Sequence, residues 1–133
     1  GMDGILGLEG FDTSLAEGVM LLTPFAADAE DERTQAFVAT YEAKYGDTPT
    51  QFSADGYDAV YALYEACEKA GIDGDTSTED ACEALIGTMQ EITVDGLTGV
   101  MDWNEAGEVT KTPKAVVIKD GVYTAIADSD NAA

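Results

Sequence analysis

The side chains that most often carry out catalysis or hold a metal ion are scarce in this sequence. It contains no histidine, which removes Ser-His-Asp and Cys-His catalysis and most zinc sites. Its two cysteines, Cys67 and Cys82, are too few and too far apart for a zinc knuckle. We expect buried free thiols, with a disulfide between neighbouring helices as the alternative. We therefore expect a protein that is not an enzyme and that uses no cofactor or metal ion.

The acidic loop over residues 73–77 has the composition of a calcium-binding loop. An EF-hand requires a glycine at its sixth position and a glutamate at its twelfth, which binds the ion through both carboxylate oxygens. Counted from Asp73, those positions hold Thr78 and Ala84, so the pattern fails. The sequence predicts a helix-capping loop here instead.

Two aromatic side chains are candidates for lining a small-molecule site. Phe25 and Phe52 each lie in a loop beside a predicted element rather than on its buried stripe, and we expect both to be exposed. Exposed aromatic rings at the mouth of a helix are a common lining of ligand clefts. Tyr57, Tyr61 and Tyr64 recur at helical spacing, which favours core packing.

The elements that must position these side chains change in type along the chain. Apolar runs, helical periodicity and turn residues predict a strand, three helices and three further strands. In chain order these elements cover residues 18–24, 28–45, 51–70, 77–89, 97–103, 115–118 and 122–124. Asp28 is the predicted N-cap of the first helix, and Gly46 and Gly71 end the first and second helices.

The order of elements predicts an α/β fold in which helices pack on a mixed sheet and the chain ends in β-hairpins, with an α+β arrangement as the alternative. Residues 104–107 and 119–121 have the composition of chain reversals. The third helix should bury Cys82, Leu85, Ile86 and Met89. A chain of 133 residues is long enough for one modest core, so we expect one domain rather than two.

The charge balance excludes several kinds of partner. The sequence has 27 acidic and 6 basic residues, for a formal net charge of -21. So negative a surface repels phosphate backbones and anionic lipid headgroups, and we expect no nucleic-acid partner. Half of the basic residues, Lys111, Lys114 and Lys119, occur in one short stretch, which is therefore locally much less acidic.

Four blocks in order along the chain carry a resemblance to a known family. They contain AEGV and TPF within residues 16–25, YEAKYG and a proline within 37–49, GYDAV at 56–60, and TG with DWNEAGE within 98–108, followed by KDG at 119–121. Each motif is short, but together they cover nearly the whole chain. In this order the blocks resemble the branched-chain amino-acid receptor family of ABC importers, which has the type I periplasmic-binding-protein fold.

The resemblance implies a function in solute capture. Residues 1–133 would be the C-terminal part of a two-lobed receptor, with hinge crossings near 23–26 and 97–100. The lobes would close on a small amino-acid-like ligand, and the closed form would dock on the membrane permease. Phe52 falls where the family places an aromatic wall of the cleft, and Asp55 is a second pocket candidate close by.

The resemblance also implies where the protein works and how it would behave alone. We expect an extracytoplasmic location, as a cell-surface lipoprotein or in a periplasm. The acidic turn that holds the ligand's amino group in the family would precede Gly1. A part of a two-lobed receptor leaves helix faces and strand edges uncovered, so we expect self-association by strand exchange.

Two other roles share the same fold. The chain could belong to a ligand-sensing module attached to a kinase or channel, or to a cytoplasmic amide-sensing regulator. The segments that would separate these roles from transport lie outside the sequence. The ligand's identity also stays open, with a branched-chain amino acid as the default of the family and peptides, amides, urea and aromatic acids as alternatives.

Overall fold

A computed structural model describes residues 4–126 of the chain. These residues form three α-helices and six strands, with two short 3₁₀ helices at Ile5–Gly7 and Thr13–Ala16. The helices are α1 (Glu32–Tyr45), α2 (Gln51–Ala70) and α3 (Thr78–Met89); the strands are β1 (Met20–Thr23), β2 (Thr93–Gly96), β3 (Gly99–Trp103), β4 (Val109–Thr110), β5 (Lys114–Lys119) and β6 (Val122–Ala125). The predicted α/β class is confirmed.

The described chain divides into two compact units. The first consists of the residues up to Phe52 and from Pro113 onward, and the second is Ser53–Thr112. The two segments expected to act as hinges, 23–26 and 97–100, lie inside the first and the second unit respectively. Each unit contains one three-stranded sheet. All pairings among the described strands are antiparallel, so two small antiparallel sheets stand where one mixed sheet was expected.

The sheet of the first unit has the strand order β1-β5-β6. Asp120 and Gly121 join β5 to β6, with φ angles of 52° and 76°, and the turn pairs Lys119 with Val122. Two consecutive positive φ angles are characteristic of a type I′ turn, whose twist matches that of the flanking strands. The reversal predicted at 119–121 is confirmed.

Helix α1 begins three residues later than predicted. Its N-cap is Asp31, whose carboxylate accepts a hydrogen bond from the Thr34 amide at 2.9 Å. Asp28, the predicted cap, instead accepts from the amide of Ala125 at 3.1 Å. The helix ends as expected at Gly46, in a left-handed conformation with φ of 73°, which glycine adopts without steric cost.

The second unit packs α2 and α3 with the sheet β2-β3-β4. Its core contains Ala62 and Ala66 of α2 together with three side chains of the strand region, Ile92, Val94 and Met101. Leu85, Met89 and Trp103 are partly buried against this core. The sequence predicted one strand over 97–103, whereas the structure has a hairpin of β2 and β3 followed by the two-residue strand β4.

The hairpin of β2 and β3 is held from outside by a buried side chain of α2. Asp58 is only 2% exposed. Its two carboxylate oxygens accept hydrogen bonds from the amides of Leu97 and Thr98, both at 2.8 Å, and from the Thr98 hydroxyl at 2.6 Å. A Cβ atom on Gly96 would stand 2.5 Å from the Asp58 carboxyl carbon. The turn therefore requires both an acceptor on α2 and a glycine opposite it.

Helix α2 has the predicted bounds but presents the opposite face to the core. The buried positions are Ala54, Asp58, Ala62 and Ala66. The large side chains interpreted as core packing are exposed: Tyr57, Val60, Tyr61 and Tyr64. These large side chains do lie along one stripe, but the prediction that the stripe is buried was wrong. The small residues of the helix are the ones that pack against the core.

The buried face predicted for α3 is also only partly correct. Leu85 and Met89 pack against the core, whereas Ile86 is exposed. Both cysteines are free thiols, with Cys67 half-buried and Cys82 exposed. The alternative of a disulfide between them does not describe this structure, and neither does full burial of the two thiols.

Candidate functional site

Phe25 follows the end of β1 and is buried. It is only 4% exposed, and its ring makes an edge-to-face contact with Phe37 of α1 at a centroid distance of 5.9 Å. Such contacts are favourable because the positive edge of one ring meets the negative face of the other. The prediction that Phe25 is exposed was wrong. Its role in ligand binding stays a prediction.

Thr23 joins the segment of Phe25 to the start of α2. The Thr23 hydroxyl lies 2.9 Å from Oε1 of Gln51 and 3.3 Å from the amide nitrogen of Phe25. It donates to the glutamine and accepts from the amide, which uses both capacities of a hydroxyl group. The partly buried bond between Thr23 and Gln51 places the two segments that carry Phe25 and Phe52 next to each other within the first unit.

Phe52 lies in the first turn of α2, not in the loop before it, and its ring is 63% exposed. Gly4, which has no side chain, lies beside this ring: a Cβ atom added to it would be 3.8 Å from Cε2 of Phe52. The exposure predicted for Phe52 is confirmed. Its contact with a ligand stays a prediction.

Asp55 lies one turn further along α2 and forms an ion pair. Its Oδ1 atom is 2.7 Å from Nζ of Lys111, which follows β4. The Lys111 side chain is 21% exposed and the Asp55 side chain 38%, so the pair is partly withdrawn from water but still accessible. Asp55 was named from the resemblance, whereas Lys111 was only noted as one of three clustered lysines.

The acidic loop before α3 is a capped turn, as predicted. Oδ1 of Asp73 accepts hydrogen bonds from the amides of Asp75 and Thr76 at 3.0 and 3.1 Å, and from the Thr76 hydroxyl. These bonds, that from the Asp75 amide foremost, hold the pKa of Asp73 below its usual value. Ser77 then caps α3 by accepting from the Asp80 amide. One carboxylate oxygen of the loop, Oδ1 of Asp73, is thus engaged by the loop itself.

Two further findings bear on the chemistry open to the molecule. Among residues 4–126, no group of three or more acidic, cysteine or histidine side chains is arranged to hold a metal ion. Within the same range, none of the helices combines the length and the apolar character needed to cross a membrane. At Phe52, Asp55 and Lys111 the side chains provide an exposed aromatic ring, a carboxylate and an ammonium group.

Comparison with known proteins identifies a match along most of the chain. The model of the periplasmic binding protein family matches residues 5–121. An ABC transporter substrate-binding protein from Desulfitobacterium hafniense, solved in complex with Leu, is 28% identical over 85% of this chain, with a TM-score of 0.70. A leucine-binding protein from Thermotoga maritima is 27% identical over 86% of the chain, with a TM-score of 0.64.

A more distant structure shares the fold. The solute-binding protein of an ABC transporter from R. palustris, in complex with benzoate, is 21% identical over 93% of the chain, with a TM-score of 0.71. The match covers 32% of the length of each of these three proteins. The chain thus spans about a third of the solved relatives. No curated protein matches it significantly.

Proposed function

Because the chain belongs to the periplasmic binding protein family, we propose that it forms part of an extracytoplasmic receptor that delivers a small solute to an ABC importer. The observation that carries this proposal is the family match over residues 5–121. Two solved relatives that are more than a quarter identical to the chain are described as a transporter substrate-binding protein and a leucine-binding protein. A receptor of this kind needs no catalytic group.

The proposed ligand is an amino acid or a related small carboxylic acid. The D. hafniense relative was solved with Leu, and the T. maritima relative is a leucine-binding protein. Benzoate, the ligand of the R. palustris structure, is also a carboxylate with an apolar body. An exposed ring such as Phe52 suits the apolar part of such a ligand, because its flat face excludes water over a large area.

The proposed mechanism is closure of two lobes around the solute. The ligand binds the closed form better than the open form and so shifts the population toward it. The hinge segments proposed for this rotation are those near 23–26 and 97–100, and Phe25, Phe52 and Asp55 are the proposed lining. The membrane permease would then recognise the closed form. The receptor itself would lie in a periplasm or be held at the cell surface by a lipid anchor.

The experiment that tests this function is a titration of the full receptor with leucine by calorimetry. Phe52→Ala should weaken binding by roughly 5- to 50-fold, since truncating a buried aromatic anchor of an interface commonly has an effect of this size. Tyr45→Ala is the matched control, because Tyr45 is a similarly exposed ring at the end of α1. Equal affinities of the wild type and Phe52→Ala would contradict the proposal that Phe52 lines the cleft.

We also propose that the isolated chain associates with itself through β1. This strand has a partner on only one side among the described strands, and its Met20 and Leu22 side chains are exposed. An uncovered apolar strand edge is a ready template for pairing with another chain.

Light scattering should therefore detect dimers or larger species of the isolated chain, and Leu22→Lys should shift them toward monomer. Leu63→Lys, which charges an exposed leucine on α2, serves as the control and should leave the association unchanged. A monomer at high concentration of the unmodified chain would contradict the proposal.

A further inference from the structure

Lys111 differs from every other basic residue of the protein. The sequence has six basic side chains, and all of them lie within the described residues. Five are exposed and Lys111 alone is half-buried; the exposed ones are Arg33, Lys44, Lys69, Lys114 and Lys119. A long ammonium side chain normally keeps its charge in water. Its partial burial in a chain of net charge -21 therefore needs an explanation.

The ion pair with Asp55 makes the burial tolerable, but it does not explain why the charge is there. Partial burial removes hydration from both groups, and the attraction at 2.7 Å offsets that loss without a large net gain. The pair of Lys69 and Glu91, at 3.3 Å with side chains 44% and 69% exposed, shows the ordinary surface arrangement. Because the side chains of Lys111 and Asp55 are only partly buried, an incoming anion can reach the pair and replace Asp55 as the partner of Lys111.

We propose that Lys111 is the anchor for the carboxylate of the ligand and that Asp55 is its counterion while no ligand is bound. This inference rests on the proposed function and adds the group that the ligand must carry. An anionic solute approaching so acidic a protein is repelled by its overall field. A local cation that is already partly desolvated compensates for this repulsion, since a charge-assisted hydrogen bond is stronger there than in water.

The exchange leaves the number of charges around Lys111 unchanged. The ligand carboxylate takes the place of the Asp55 carboxylate on the ammonium group, and Asp55, which is already 38% exposed, turns to water. The Lys111 ammonium group therefore has a carboxylate partner both before and after binding. A solute without an anionic group cannot pair with Lys111, so the ion pair of Lys111 and Asp55 stays formed and the solute is rejected.

The two charges therefore act with opposite signs on the affinity for a simple carboxylate. Lys111 contributes to binding, while Asp55 competes with the ligand. A merely structural ion pair has a different signature, because loss of either member then weakens the fold in the same direction. The opposite signs make the inference testable without a structure of the complex.

The test uses the full receptor, with leucine and its analogue without the amino group, 4-methylpentanoate, as probes in calorimetry. Lys111→Met should weaken the binding of both probes by roughly 10- to 100-fold, the size expected for losing a hydrogen bond to a charged group. Lys111→Arg should keep most of the affinity. Asp55→Asn should strengthen the binding of 4-methylpentanoate. Lys69→Met, which removes the exposed cation of the other pair, should change neither affinity.

The outcomes separate this inference from the proposed function. A wild-type receptor that binds neither leucine nor any of a panel of small carboxylic acids contradicts the proposed function itself. A wild-type receptor that binds them, with Lys111→Met within twofold of it or Asp55→Asn weaker for 4-methylpentanoate, overturns the anchor role alone. Thermal denaturation of each variant, recorded in parallel, shows that the compared proteins are folded at the temperature of titration.

Discussion

The two hairpins of the molecule are held in different ways. The turn of the β5–β6 hairpin consists of Asp120 and Gly121, whose positive φ angles already give it the twist of the strands. The turn of the β2–β3 hairpin is Leu97-Thr98, and its amides are bound by Asp58, 39 and 40 positions earlier in the chain. The first turn is shaped by its own backbone, and its Asp120 amide also donates a hydrogen bond to the exposed Glu17 carboxylate at 2.9 Å. The second turn is held by a buried carboxylate of a helix.

The structural effect of a substitution should therefore extend further from one turn than from the other. A substitution in the β5–β6 turn should strain the local backbone and, at Gly121, crowd the neighbouring Thr13 side chain, while the rest of its unit stays in place. A substitution at Asp58 removes the hydrogen bonds that join α2 to the β2–β3 turn, so it should loosen the helix and the hairpin together. Substitutions at three positions test this difference between the two hairpins.

The largest effect is expected for Asp58→Ala. Two buried amides and one hydroxyl lose their acceptor, and buried donors without partners are costly, so the free energy of unfolding should fall by roughly 3–5 kcal/mol. Hydrogen exchange should show faster exchange at Leu97 and Thr98. Asp75→Ala, in an exposed loop, is the matched control. A decrease in the free energy of unfolding below about 1 kcal/mol would show that the turn is stable without Asp58.

A smaller effect is expected for Gly96→Ala. The new methyl group would stand 2.5 Å from the Asp58 carboxyl carbon, so the carboxylate must move and its hydrogen bonds must lengthen. Overpacking of this kind typically costs roughly 1–3 kcal/mol, which urea denaturation measures. Gly87→Ala, where a Cβ atom meets open space on α3, should be neutral or stabilising. Equal stability of both variants would contradict the close approach.

The smallest effect is expected for Gly121→Ala. The substitution forces a residue with a Cβ atom to a φ of 76°, which costs about 1 kcal/mol. The Cβ atom would also lie 3.2 Å from the Thr13 hydroxyl oxygen, so that side chain must shift slightly. The change should accelerate hydrogen exchange at β5 and β6 and leave β2 and β3 unaffected. Gly74→Ala, with open space and no positive φ, is the control. Exchange that accelerates in the β2–β3 hairpin as well would show that the two turns are not independent.

Sequence reasoning succeeded where the signal was local. Helix α2 has the bounds predicted from its flanking Pro49 and Gly71, and the turn at 119–121 was recognised from its composition. The N-cap of α1 was missed because Asp28 and Asp31 are equally suitable caps. The choice between them depends on the Ala125 amide, 97 positions away, which no local pattern contains.

The buried face of α2 was predicted wrongly for a related reason. Helical periodicity was read from the largest apolar side chains, which here face outward, while the buried positions are three alanines and Asp58. A helix face of alanines with one aspartate is typical of a solvent-exposed face. Only the hydrogen bonds of Asp58 to Leu97 and Thr98 explain why this face is buried. In the same way, the sequence position of Phe52 was enough to name it as a candidate. The pairing of Lys111 with Asp55, 56 positions apart, could not be predicted from the sequence.

The packing of Trp103 against the core of the second unit has a practical consequence. It is the protein's one tryptophan, so intrinsic fluorescence excited at the red edge of protein absorption originates from this unit alone. Melting of the first unit would leave that emission largely unchanged, while its tyrosines and its helix would still register in circular dichroism. Two optical signals recorded on one unlabelled sample would thus follow the two units separately.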